Sequence, residues 1–236
     1  MKIVSACLLF LLVFVLFFRS GEACAQAESN TKLCALSFDD GPDVVMTGRV
    51  LDTLEKHNVV ATFFLIGILI NEETKPVLDR MVAMGCEIGN HSWAWDSLDQ
   101  LSEEEIKESI EKTNEVIKQY TGQTPQFFRP PNLAVSDKMY DVIDLPFICG
   151  VLAYDWAGCD RTVETIVNNV LKEMDDGAII LLHDVQPEPH PITEVLDVLI
   201  PKLKEQDYEF VTISELFRRK GVDPNSLEYE MWTYVK

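Results

Sequence analysis

Apolar and polar positions along the chain follow two alternating periods. Short runs rich in apolar, β-branched and aromatic residues read as strands at 33–38, 59–66, 86–90, 126–129, 147–154, 177–183 and 210–213. Between them lie stretches with apolar residues three and four positions apart. Val50, Leu51 and Leu54 set that spacing within 44–57, and helices are expected again over 72–84, 102–120, 136–143, 162–174, 191–205 and 214–219. The boundaries carry their own chemistry. Ser102 precedes Glu103, Glu104 and Glu105, an N-cap followed by anions that suit a positive helix end. Gly85 and Gly122 stand where a helix must stop, and Pro191 where one begins. Strands alternating with helices of this length predict one domain built on a parallel sheet or barrel.

The N-terminal pattern is different. Lys2 is followed by an almost uniformly apolar run over 3–18, then by Ala23, Ala25 and Ala27. That run is short for a membrane span, and Ala25-Gln26-Ala27 fits a small-x-small cleavage site, so residues 1–27 read as an export signal. An uncleaved anchor and a lipidated Cys24 are the alternatives. The domain then covers 28–220, with 221–236 a tail that packs on it or frays. Removing 1–27 takes away Lys2, Arg19 and Glu22, moving the formal charge from −19 to −20. So negative a chain is a poor partner for nucleic acid or anionic lipid and is compatible with a neutral or cationic glycan; solubility alone also accounts for it. The expectation is a secreted monomer with no membrane contact beyond the signal. Cys34, Cys86, Cys149 and Cys159 match no zinc-knuckle spacing and read as buried thiols, with one disulfide as the alternative.

The candidate chemistry sits where strands end. Asp39-Asp40, His91, Asp155 and His183 each follow an expected strand, and Arg129 closes another. In a parallel barrel the C-terminal strand ends share one face, so these residues converge there. Carboxylates, histidines and an arginine are the inventory of metal-assisted hydrolysis. Singly, each has a plainer explanation: Asp-Asp-Gly-Pro as a turn, His183 as a core histidine, Arg129 as a surface charge.

The segments Ser37-Phe38-Asp39-Asp40-Gly41-Pro42, Gly89-Asn90-His91-Ser92, Phe128-Arg129-Pro130-Pro131, Tyr154-Asp155-Trp156 and Ile180-Leu181-Leu182-His183-Asp184 occur in this order. Together they resemble the five motifs of the polysaccharide deacetylases, carbohydrate esterase family 4, also called the NodB homology domain. The likeness spans roughly residues 32–219. It implies a distorted (β/α) barrel of seven or eight strands and one divalent metal ion (Zn, Co, Ni or Mn). It also implies an acetylated polysaccharide or oligosaccharide as substrate, either an O-acetyl ester or an N-acetyl amide. Asp39 would be the general base, oriented by Arg129; Asp40 and His91 the metal ligands; His183 the general acid, paired with Asp155. Leu181 and Trp156 would line the acetyl pocket, and the Asn132 N–H would meet the oxyanion. A catalytically inactive carbohydrate-binding protein on the same barrel is the alternative.

The chain departs from the family pattern at two points. Trp95 stands where a second histidine is usual, four residues after His91. Its indole is a donor only, so Trp95 is expected at the substrate groove and not in the metal shell. Asn132-Leu133 replace the usual Tyr-Gly. Two protein ligands favour a six-coordinate ion completed by water over a closed zinc site.

Overall fold

The structure, a computed structural model, describes residues 31–158, 161–227 and 230–236; the expected signal and Cys159 lie outside the described residues. Six strands alternate with α-helices among the described residues. In chain order they are β1 (Lys32–Asp39), α1 (Met46–His57), β2 (Thr62–Leu65), α2 (Lys75–Ala83), β3 (Glu87–Asn90), α3 (Glu103–Thr121) and α4 (Asp137–Val142). These are followed by β4 (Val151–Leu152), α5 (Val163–Glu173), β5 (Ala178–His183), α6 (Ile192–Lys204), β6 (Tyr208–Phe210) and α7 (Ile213–Lys220).

Every pairing between these strands is parallel, in the order β3-β2-β1-β5-β4. β5 lies along one edge of β1. The other edge is shared, β6 against its start and β2 against its end. Single bridges carry the ring from Asn90 to Phe128 and from Phe128 to Phe147. The chain then runs into β4, which pairs back onto β5. The result is the expected distorted (β/α) barrel.

Strand alternation sorts the core into two layers. Leu36, Phe38, Phe63, Leu65, Ile180 and Leu182 face outward and pack beneath the helices, with Val50 and Leu54 of α1 and Leu196 and Leu199 of α6. Leu33, Ala35, Phe64, Phe127, Ile148 and Ile179 face inward. The lower barrel is therefore apolar, and Leu216 and Phe217 of α7 plug it together with Trp232 and Val235 of the tail. Higher on the same inward faces stand Ser37, Asp39 and His183. Burial drives the lower interior together, and the top of the barrel is left to polar groups.

Four expected strands differ in extent, and the one expected over 59–66 forms only Thr62–Leu65. Residues 126–129 contribute only two isolated bridges, both at Phe128, because Pro125, Pro130 and Pro131 around them have no N–H for a ladder. The stretch 147–154 is broken at Gly150, whose φ of 115° places its backbone where a Cβ would lie 3.1 Å from the Ile179 carbonyl. The final strand ends at Phe210, because Thr212 caps α7 by accepting from the Glu215 N–H (3.3 Å). The helix from Ser102 is as expected: its hydroxyl accepts from Glu105 N, the Glu105 carboxylate accepts from Ser102 N, and Gly122 closes the helix at φ 72°. Cys34, Cys86 and Cys149 are free thiols, the first two buried.

The end of the tail packs and does not fray. Trp232 bridges Ile148, Tyr234 bridges Ala178, and the Val235 N–H donates to the Gly177 carbonyl at 2.8 Å. This contact requires glycine at 177: φ is 86°, and a Cβ would lie 2.0 Å from the Val235 carbonyl oxygen. Gly177→Ala is expected to destabilise the fold by about 1–3 kcal/mol and to raise hydrogen exchange over 231–236 selectively. Unchanged exchange there would mean that the tail is held by other contacts.

Candidate metal and acid–base site

The site begins with Arg129. Its guanidinium is fully buried at the barrel mouth, where an unpaired cation would be prohibitively costly. Nη1 donates to Asp39 Oδ1 (2.7 Å), Nη2 to Ser37 Oγ (2.8 Å) and Nε to the Ile148 carbonyl (3.3 Å), while the guanidinium carbon lies 4.2 Å from the Phe64 ring centre. Asp39, itself only 3% exposed, therefore has one oxygen committed and presents Oδ2 to the site.

Asp40 follows at φ 77°, a conformation that costs a non-glycine residue energy. Consecutive strand residues point to opposite faces, so this twist is what brings Asp40 round beside Asp39. His91, at the end of β3, completes the cluster. Its Nδ1 lies 2.6 Å from the Arg129 carbonyl, which can only accept, so Nδ1 is the donor there and Nε2 is the nitrogen left to ligate. Nε2 is 3.8 Å from both Asp39 Oδ2 and Asp40 Oδ1. An imidazole nitrogen beside two carboxylate oxygens is a fitting donor set for a divalent cation, and a hydrogen-bonded Nδ1 is the usual support of a ligating histidine. Among the described residues no group of three or more His, Cys, Asp or Glu forms a metal cage. The donor set is thus an open one, with Asp40 and His91 as its expected protein members.

Two further side chains hold Asp40. The Trp95 Nε1–H donates to Oδ1 (2.7 Å) and the Gln186 amide to Oδ2 (2.8 Å). Trp95 is 49% exposed, so its indole edge is fastened to the candidate ligand while much of its surface stays open at the mouth.

Across the site, His183 and Asp155 form the second charged unit. Asp155 is completely buried; its Oδ1 lies 2.9 Å from His183 Nδ1, and its Oδ2 accepts the His183 backbone N–H at 2.8 Å. Burial disfavours a charged His183, but the hydrogen bond and charge of Asp155, with Asp39 and Asp40 adding to them, outweigh it and raise the imidazolium to about 9. Burial likewise opposes ionisation of Asp155, and bonds from His183 and His190 overcome it, holding Asp155 down to about 2. Trp156 packs edge-on against His183 (5.0 Å), and Tyr154, at φ 58°, lies against Trp156 (5.5 Å). Leu181 is buried one layer below His183 on the same strand face. Asn132, exposed at φ 56°, sits in the turn after Arg129.

The expected residues therefore gather at the strand ends: Asp39, Asp40, His91, Arg129, Asp155 and His183 in direct or one-step contact. Four others were not anticipated. Ser37 shares Arg129. Gln186 bonds Asp40. His190 bonds Asp155. Asp184 is fully buried beneath Gly41, where it accepts from Thr47; burial, then the nearby Asp40 and Asp39, push its carboxyl up to about 7 despite that bond. A signal existed for His190 and Gln186. Polar residues in a proline-punctuated turn directly behind a strand-end histidine are placed to reach the same site.

Residues 26–145 match the family model described as polysaccharide deacetylase. The chain belongs to this family. It is 44% identical over 218 residues to a bifunctional xylanase/deacetylase of Pseudobutyrivibrio xylanivorans, covering 92% of this chain and 36% of that protein. It is 39% identical to the peptidoglycan-N-acetylglucosamine deacetylase PgdA of Listeria monocytogenes, covering 83% of this chain and 41% of that protein. The chain thus spans well under half the length of these two relatives. Among solved structures, a family 4 acetyl xylan esterase of Clostridium thermocellum in complex with a cobalt ion superposes with a TM-score of 0.83 at 50% identity, covering 86% of this chain and 99% of that one.

Within this deacetylase family the open donor set makes Trp95 the informative position. Trp95→His would exchange a donor locked onto Asp40 for a potential third ligand. Calorimetric titration with Zn²⁺ and Co²⁺ is expected to show at least about tenfold tighter binding in the variant, about 1.4 kcal/mol. Equal affinities would mean that another side chain, Asp39 by its distance, already serves as the third ligand.

Proposed function

We propose that the chain is a metal-dependent hydrolase that removes acetyl groups from a polysaccharide, with O-acetylated xylan as the preferred substrate. The observation that carries this reading is the separation of charged groups at the mouth of one barrel. A base–guanidinium pair (Asp39–Arg129), a ligand pair (Asp40–His91) and an acid pair (His183–Asp155) face a common space. Two relatives named for xylan support the ester. Alkoxide is also a better leaving group than an amine anion, so an ester suits a metal held by few protein ligands. Export by residues 1–27 belongs to the same reading, since the polymer is too large to enter a cell. Among the described residues no helix is long and apolar enough to cross a membrane.

A bound divalent ion supplies Lewis acidity to the acetyl carbonyl and makes water more acidic at neutral pH. The chain's residues do the rest. Asp40 and His91 would hold the ion, with Trp95 and Gln186 fixing Asp40. Arg129 keeps Asp39 oriented, and Asp39 Oδ2 takes the proton of the attacking water. The Asn132 N–H is the candidate donor to the oxyanion. His183, charged through Asp155, then gives its proton to the departing sugar oxygen. Trp156 and Leu181 provide apolar surface beside the acetyl methyl, and Trp95 with Tyr154 offers exposed aromatic faces to the sugar rings.

Acetate release from acetylated xylan and from chitooligosaccharide, each with Zn²⁺, Co²⁺, Ni²⁺ or Mn²⁺ added to metal-stripped protein, tests this reading. Release is expected from xylan, with Co²⁺, Ni²⁺ or Mn²⁺ at least as effective as Zn²⁺. No release from any substrate with any metal would leave a carbohydrate-binding protein on a catalytic fold. The pH profile adds a check. His183 must be protonated to act, and its proton is held to about 9. Activity should therefore fall as pH rises through a limb at about 9, or lower once a bound cation offsets Asp39 and Asp40. A flat profile to about pH 10.5 would remove His183 from the acid role.

A further inference from the structure

The loop behind β5 carries a residue that the family roles leave out. His190 stands between Pro189 and Pro191, its side chain only 3% exposed, with its backbone N–H donating to Glu188 Oε2 at 2.8 Å. Its ring is turned onto Asp155: Nε2 lies 3.2 Å from Oδ2. The buried carboxylate thus has three nitrogens about it. His183 Nδ1 is at Oδ1, while the His183 backbone N–H and His190 Nε2 are at Oδ2. An ionised carboxylate only accepts, so each of the three is a donor, which places a proton on His190 Nε2. The other charged groups facing His190 are Arg49 of α1, Asp184 and Glu188, which line one small cavity with it; those facing His183 are Asp155, Asp39 and Asp40.

This arrangement has a consequence for acid catalysis. A carboxylate in a dry pocket with one imidazole as its sole partner holds that imidazole's proton tightly. A tightly held proton is slow to leave. A second donor on the same carboxylate draws off part of its charge and also fixes which oxygen faces the acid. We propose that His190 is a positioning residue for His183, sharing Asp155 so that Oδ1 stays on His183 Nδ1 and the acid's proton remains transferable. The proposal rests on the deacetylase reading above for the role of His183, but the contact itself does not.

The test compares H190A and H190Q with wild type in the full, metal-loaded chain, following acetate release from acetylated xylooligosaccharide against pH. In H190A the carboxylate loses a donor, so His183 holds its proton more strongly. The alkaline limb of kcat should move upward by about half a pH unit or more, while kcat below that limb falls by up to about threefold per half unit at little change in KM. H190Q can donate from its amide, and both quantities should return most of the way. An alkaline limb in H190A within about 0.1 unit of wild type would make His190 a structural residue only. Imidazole ¹⁵N spectra of the wild-type protein supply an arm that depends neither on activity nor on the variants folding. His190 Nε2 should carry its proton, and its ring should report the titration of His183. An unprotonated Nε2, or a ring indifferent to that titration, overturns the proposal. A wild type that releases no acetate contradicts the deacetylase reading, and the spectra then decide this contact by themselves.

Discussion

The buried Arg129–Asp39 pair is the interaction on which the site depends. A fully buried guanidinium must find a counter-charge and partners for its N–H groups, and Asp39, Ser37 and the Ile148 carbonyl provide them. The same residue acts a second time through its backbone. The Arg129 carbonyl accepts from His91 Nδ1 and so turns Nε2 toward the carboxylates. One residue therefore restrains both Asp39, the proposed base, and His91, a proposed metal ligand. The two adjacent aspartates become unlike because only the first is bound to this cation. Asp39 is held by a charge, whereas Asp40 is held by the neutral donors of Trp95 and Gln186.

Delivering these groups to one space requires breaks in strand regularity. The inward faces of β1 and β5 supply only alternate residues, enough for Asp39 and His183 but not for neighbours. Positive φ at Asp40, Ser92 and Tyr154 re-aims the chain just beyond three strands, and the cost falls at the mouth where chemistry is expected. The lower barrel, closed by α7 and the tail, provides the rigid base that maintains these conformations.

Much of this was legible in the chain itself. The strand–helix alternation gave the barrel, because each element buries one face with its own period. The strand-end residues pointed to Asp39, Asp40, His91, Arg129, Asp155 and His183 as one cluster, because a parallel barrel collects such ends on one rim. The limits have physical causes. The weak strands at 126–129 and 147–154 owe their short pairing to prolines and to the conformation of Gly150, which a pattern of apolar residues does not register. Gln186 and His190 act through a loop whose path depends on the whole rim. Trp95 is bonded to Asp40 through its indole N–H, a contact across space with no trace in sequence spacing.

In the proposed mechanism Arg129 sorts the adjacent aspartates into a base and a ligand. This sorting is tested most directly in Asp39→Asn, which keeps the shape and an oxygen for Arg129 but removes the charge. Calorimetric Co²⁺ titration of the folded variant, with acetate release measured on the same sample, is the decisive measurement. Co²⁺ affinity is expected to stay within about threefold of wild type, with activity lost by at least about 10²–10³-fold. Loss of cobalt binding in a folded protein, with activity regained at saturating metal, would show that Asp39 is a ligand and would contradict the division of roles.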